Sequence, residues 1–167
     1  MLLHCTQKLA ARLPEVSATP LAEPSPLGGW HGNLYQIDRR QCVLFCHDET
    51  RYMLFLPGLK KSHFESLGRL HRDLFLLSLA AHDISDAKIM RAGLALGPAA
   101  FDGATDRSVL GSMNIAMGDL GAWLERFPNL LEIDPAAAAL RLNHRPVTAR
   151  GFWHWPDKEM LARIERL

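Results

Sequence analysis

A chain of 167 residues is long enough for one ordinary domain and short for two. Hydrophobic residues at 48% and charged residues at 22% are normal globular proportions and exclude a disordered or fibrous chain. With 19 Lys and Arg against 18 Asp and Glu, the net charge of +1 selects neither nucleic acid nor a membrane surface.

The opening Leu2-Leu3-His4-Cys5 reads as a short strand. It lacks the basic start and long apolar run of a secretion signal. Thr6 is placed to cap a brief helix from Gln7 to Leu13, which Pro14 stops. Pro14, Pro20, Pro24, Pro26, Gly28 and Gly29 then mark an irregular loop, long enough to be a cover over something. Three runs follow, Trp30 to Asp38, Gln41 to His47 and Thr50 to Leu56, separated by Arg39-Arg40 and Asp48-Glu49. They predict an antiparallel meander, although neither turn carries the Gly that primed turns prefer. Cys42-Val43-Leu44-Phe45-Cys46 is apolar on both faces and suits a central strand covered on both sides. Pro57-Gly58 reads as the end of the third strand.

Ser62-His63-Phe64-Glu65 matches a capping box, and Phe64, Leu67, Leu70, Leu74, Leu77 and Ala81 continue at helical spacing. A second helix starts near Ser85 and ends by Gly97-Pro98, and the run around Phe101 can add a strand. Asp106 or Thr105 caps a third helix whose seam is Leu110, Met113, Met117, Leu120, Leu124 and Phe127. Another face of that helix holds Gly111, Gly118, Gly121 and Ala122; at roughly 1 kcal/mol for each mid-helix Gly, these predict close approach of another backbone or a ligand. Leu140 and Leu142 read as a strand before the Asn143–Pro146 turn, and Pro156 as the opening of a terminal helix. No apolar stretch approaches the roughly 18 residues of a membrane span. Three cysteines do not make a disulfide framework, so a reduced, cytoplasmic protein is expected.

Chemistry-bearing motifs are sparse. Cys42 and Cys46 lie roughly 13 Å apart if on one strand, too far for one zinc ion, and no His pair has metal-binding spacing. No metal and no cofactor is therefore expected. Phosphate-binding glycine loops are missing, and Ser108 and Ser112 lack the sharp turn of a nucleophile. The more informative polar residues are His31 and Asn33, on one strand face just after the loop, and Arg107 and Ser108, at the start of the glycine-rich helix, with Asn114 two turns on. If the helix start approaches the strand start, they form one polar pocket. A nucleic-acid surface is possible but not favoured: Arg39, Arg40 and Arg51 at hairpin ends, Lys60, Lys61, Arg69 and Arg72 beyond, and Arg141, His144, Arg145 and Arg150 near Trp153 and Trp155. Both tryptophans are expected to pack the terminal helix onto the core.

Three segments, Cys5-Thr6-Gln7-Lys8-Leu9, Trp30-His31-Gly32-Asn33-Leu34 and Arg107-Ser108-Val109-Leu110-Gly111-Ser112-Met113-Asn114, together resemble a family of small uncharacterised prokaryotic proteins, a domain of unknown function. Its pattern is T-x-K-L near the start, W-H-x-N-L in the first long strand and a late R-S-V-L-G-S-M-N. The resemblance implies no activity. It implies that Thr6, Lys8, Trp30, His31, Asn33, Arg107, Ser108, Gly111 and Asn114 belong to the family pattern; Gly32 stands where Ala is expected.

The expectation is one α+β domain, a small antiparallel sheet of a three-stranded meander plus one or two short strands, packed against helices. Functionally the sequence points to a binding or regulatory module whose pocket (Thr6, Lys8, Trp30, His31, Asn33, Arg107, Ser108, Asn114) takes a small anionic or nucleotide-like ligand or a protein partner. The alternative is a small phosphodiester-cleaving hydrolase with His31 as general acid/base.

Overall fold

The computed structural model describes residues 1–149 and 151–167. Strands β1 (Leu2–Cys5), β2 (Trp30–Ile37), β3 (Arg40–His47), β4 (Met53–Leu59) and β5 (Ala100–Asp102) form a sheet in the order β4-β3-β2-β1-β5. The meander β2-β3-β4 is antiparallel as its alternation predicts. β1, however, lies parallel to both β2 and β5, so the sheet is mixed. Parallel neighbours cannot be joined by a tight turn. The connection is the helix α1 (Gln7–Ala10) and the Pro/Gly-rich segment after it, which crosses back to the start of β2.

β3 is central, and its stretch from Cys42 to Cys46 is fully buried. On one side Val43 and Phe45 join Leu3, Trp30, Leu54 and Phe75 in a core shared with α3 (Leu67–Ala80), α4 (Asp86–Leu96) and α7 (Pro156–Ile164). On the other, Cys42, Leu44 and Cys46 pack with Val109, Met113 and Leu120 of α5 (Arg107–Leu124) and with Leu142 of α6 (Pro135–Asn143). A short hairpin, β6 (Val147–Ala149) and β7 (Phe152–His154), connects α6 to α7.

Several local expectations change. The third strand runs through Pro57-Gly58 to Leu59, because the register shifts there and Gly58 takes φ +68. A bulge tolerates Pro, whose missing N–H the ladder does not use, and needs a residue at ease with positive φ. Ser62 caps nothing. Instead a separate turn, α2 (Lys61–Phe64), begins after Lys60, whose N–H donates to His63 Nδ1 (3.1 Å). Leu140 and Leu142 lie in α6, not in a strand: Pro135 stands in its first turn, and the Asp134 carboxylate accepts the Ala136 N–H (2.9 Å). Trp153 is 74% exposed on β7 rather than packed under the terminal helix. Among the described residues no group fills the space beside Gly111, Gly118 or Gly121, where an added Cβ would meet nothing within 4 Å.

Two buried polar residues yield predictions. Asn143 covers the open edge of β4: its Oδ1 accepts the Met53 N–H (2.7 Å), and its Nδ2 donates to the carbonyls of Met53 and Ala139 (both 2.8 Å). Asn143→Ala strands the buried Met53 groups and is expected to cost about 2–4 kcal/mol in denaturant unfolding; a loss below about 1 kcal/mol contradicts this role.

His71 sits among aromatic rings, 4.5 Å from Trp30 and 4.8 Å from Phe45 between centroids, and neither of its nitrogens has a hydrogen-bond partner among the described residues. Burial pushes its pKa from 6.5 down to about 3, and burial likewise lowers His47 to about 4. Below pH 6.5 the unfolded chain therefore binds protons that the folded one refuses. This stability is fully present above pH 6.5 and is lost as pH falls toward the folded values, at about 1.4 kcal/mol per pH unit for each histidine. His71→Phe is expected to remove about 1.4 kcal/mol per pH unit from the acid-side slope of stability, measured by urea unfolding from about pH 6 to pH 4.5. An unchanged slope contradicts it.

Candidate functional site

The parallel placement of β1 sets His4 opposite His31 on β2 and opposite Asp102 on β5. Side chains in register on neighbouring strands share a face, so the three form one row. His31 Nδ1 donates to Asp48 Oδ1 (2.6 Å), while its Nε2 accepts the backbone N–H of Asp106 (2.8 Å), which fixes the tautomer. Both nitrogens are thus committed. His4 Nδ1 donates to Asp102 Oδ1 (2.7 Å), and Asp102, fully buried, also accepts the N–H groups of Leu21 (2.9 Å) and Ala104 (3.1 Å). His4 Nε2 has no hydrogen-bond partner among the described residues and faces Asp48 Oδ2 at 3.6 Å. The result is a chain Asp102–His4···Asp48–His31. It opens to solvent at its middle, where the His4 and Asp48 side chains are 17% and 25% exposed. The Pro/Gly-rich segment covers the β1–β5 side through the Leu21 N–H on Asp102 and through Glu23, which accepts the Leu2 N–H (2.7 Å).

A histidine held in one tautomer by a buried carboxylate, with its other nitrogen open, is arranged for proton transfer. That position belongs to His4, not to the predicted His31: a proton on His31 Nε2 would oppose the Asp106 N–H. Neither Ser nor Cys hydrogen-bonds to His4 Nε2, and burial pushes the nearby Cys5 thiol up to about 12, far from a thiolate. Among the described residues no three His, Cys, Asp or Glu side chains are grouped to hold a metal ion.

The other predicted pocket residues only partly converge. The start of α5 does approach the start of β2, through Asp106 on His31. Asp106 itself caps α5, its carboxylate accepting the N–H groups of Ser108 (2.6 Å) and Val109 (3.2 Å), and these bonds hold its pKa below the usual value. The amides that would have received an anion are therefore occupied. Ser108 Oγ accepts from Arg51 Nη2 (3.1 Å). Arg51 is buried at the end of β3 opposite Arg39 and Arg40, which removes it from the predicted basic surface. Trp30 is fully buried in the core and cannot line a pocket. Thr6 makes no side-chain cap; its hydroxyl donates to Asn33 Oδ1 (2.8 Å), and the Tyr35 hydroxyl donates to Asn114 Oδ1 (3.3 Å). Arg107 and Lys8 are exposed and form no ion pair with a described residue.

A different set of cations does converge. The turn Asp38-Arg39 takes positive φ at both residues (47 and 63), as a two-residue primed turn requires and as non-Gly residues resist. It presents Arg39 and Arg40 beside Lys60 and Lys61. With Arg12 these line a groove of about 630 Å³, floored by Leu59, Phe64 and Leu131. A second groove of about 500 Å³ continues past Arg12 to Lys8, Tyr35 and Gln41. Neither is lined by an acidic residue, and none of the six cations is in an ion pair among the described residues. Four other predicted cations are engaged elsewhere: Arg69 with Asp73, Arg145 with Asp119, His144 with Asp157, and Arg141 over Trp123. Arg150 lies outside the described residues.

Gly29 backs the histidine cluster: an added Cβ would stand 2.8 Å from Asp48 Oδ2 and 3.3 Å from His4 Nε2. Gly29→Ala is expected to displace Asp48 and to lower stability by about 1–3 kcal/mol in denaturant unfolding. An unchanged midpoint contradicts the tight packing of the cluster.

No helix among the described residues is long and apolar enough to cross a membrane. No curated protein matches the chain. The model of a domain of unknown function, DUF6933, matches residues 2–159, and the chain belongs to that family.

Proposed function

We propose that the protein is a binding module for a small, phosphate-bearing anionic ligand, taken in the basic groove between the β2–β3 turn and α2. The observation that carries this reading is the grouping of Arg12, Arg39, Arg40, Lys60 and Lys61 around one concavity with no acidic lining, in a chain whose net charge is only +1. Unscreened like charges repel, so their convergence costs stability unless an anion joins them, and a concave surface focuses the field they create. Arg39 and Arg40 offer planar forks suited to phosphate oxygens, whereas Lys60 and Lys61 act as point charges. Gln41 and His63 add hydrogen-bonding groups, and the 52% exposed Leu131 supplies an apolar wall for a base or another flat group. The strained turn is a cost that ligand binding explains.

A second reading, phosphodiester hydrolysis, is favoured by the Asp102–His4···Asp48–His31 chain alone. His4 replaces His31 in that reading as the proton-transfer group. The two candidate sites are separate. His31 and the turn lie at opposite ends of β2, six residues or roughly 20 Å apart, too far for one small ligand to touch both.

The test is calorimetric titration with inorganic pyrophosphate, ATP and a short RNA at about 50 mM salt, where screening is weak. Saturable binding of pyrophosphate or ATP is expected, with Arg40→Ala and Lys60→Ala each weakening it about tenfold or more. His4→Ala should leave affinity unchanged. Absence of binding by all three probes, or affinity indifferent to both substitutions, overturns the proposal. A strong preference for the RNA, lost progressively with salt, would make the ligand a nucleic acid backbone instead of a small anion.

A further inference from the structure

One face of α5 is bare beside its glycines among the described residues. Gly111, Gly118 and Gly121 border open space, and Ile115, between the first two, is 68% exposed. Next to Ile115 an apolar groove of about 250 Å³ runs to Trp153, itself 74% exposed. Glycines disfavour a helix interior, and a bare isoleucine in their midst favours burial, so both observations call for something to lie on this face. This question is separate from ligand binding in the basic groove, which lies at the turn before β3.

We propose that a second copy of the chain covers this face, its α5 packed antiparallel on the first across a two-fold axis level with Ala116. The charges identify the occupant. Arg107 and Glu125 stand at the two ends of the helix, nine residues on either side of position 116, and neither is in an ion pair among the described residues. They are 18 residues apart, five turns of an α-helix, so they share one azimuth. A two-fold axis perpendicular to the helix keeps each lateral side facing itself while reversing direction. Arg107 of one copy therefore meets the partner's Glu125, and Glu125 meets the partner's Arg107. The same axis brings Ile115 beside the partner's Ile115 and sets Gly111 opposite the partner's Gly121, where the missing side chains let the two helices approach closely. Antiparallel alignment also opposes the two helix dipoles favourably. A parallel arrangement would set Arg107 against Arg107 and Glu125 against Glu125.

Sedimentation velocity from about 1 to 200 μM at about 50 mM salt tests this. The wild-type chain is expected to dimerise in that range. Arg107→Glu and Glu125→Arg should each weaken the dimer about tenfold or more, because each sets like charges in contact, and the double reversal should restore affinity to within about threefold of wild type. Ile115→Glu should leave a folded monomer, checked by circular dichroism. A wild-type monomer throughout the range overturns the proposal. So does a dimer that the single reversals do not weaken, or one that the double reversal does not rescue. Should Ile115→Glu fail to fold, the reversal series at exposed positions decides alone.

Discussion

Much of this structure follows from one strand running the unexpected way. β1 inserts between β2 and β5 in parallel with both, and a parallel pair cannot close through a tight turn. The chain must therefore leave β1, pass through α1 and return over the edge of the sheet, which is why two dozen residues without regular strands separate β1 from β2. The returning segment contributes the Leu21 N–H to Asp102 and the Glu23 carboxylate to Leu2, covering the β1–β5 side of the sheet. The same register aligns His4 between His31 and Asp102. One pairing choice thus explains the crossover, its cover and the polar row beneath it.

The rest of the sheet separates its tasks along β2. At the β2 start, the histidine–carboxylate chain is closed in by Gly29 and by the first turn of α5. At the far end, the turn at Asp38-Arg39 accepts positive φ and pushes arginines outward toward Lys60 and Lys61. Between them both faces of β3 are buried, so the scaffold holding the two ends is densely packed. This arrangement suits a site that relies on charge placement more than on motion.

What the sequence made legible was local. The meander, the Asp106 cap, the start of α4 at Ser85 and the start of α7 at Pro156 each rest on neighbouring residues whose chemistry acts within a few positions. The parallel β1 and the His4–Asp102 pair depend on register with segments 27 and 98 residues away, which no periodicity encodes. His4, a polar residue in an otherwise apolar strand, carries the one signal that could have found it, and the sequence reading passes over it. Leu140 and Leu142 misread as a strand because alternation over three residues fits helix and strand alike, whereas the Asp134-Pro135 start was the better guide. Arg51 was grouped with Arg39 and Arg40 because all three flank turns, yet successive turns of a meander lie at opposite ends of the shared strand. The glycine face of α5 is expected from sequence to meet another backbone or a ligand, yet among the described residues nothing lies within 4 Å of an added Cβ at Gly111, Gly118 or Gly121.

The central claim is that the basic groove, and not the histidine row, receives the ligand. Backbone amide resonances followed during addition of inorganic pyrophosphate test it most directly. Saturable shifts are expected to be confined to Arg12, Arg39 to Gln41 and Lys60 to His63, with His4, His31 and Asp106 unmoved. Shifts centred on His4, Asp48 and Asp106, or no saturable shift at all, would contradict it.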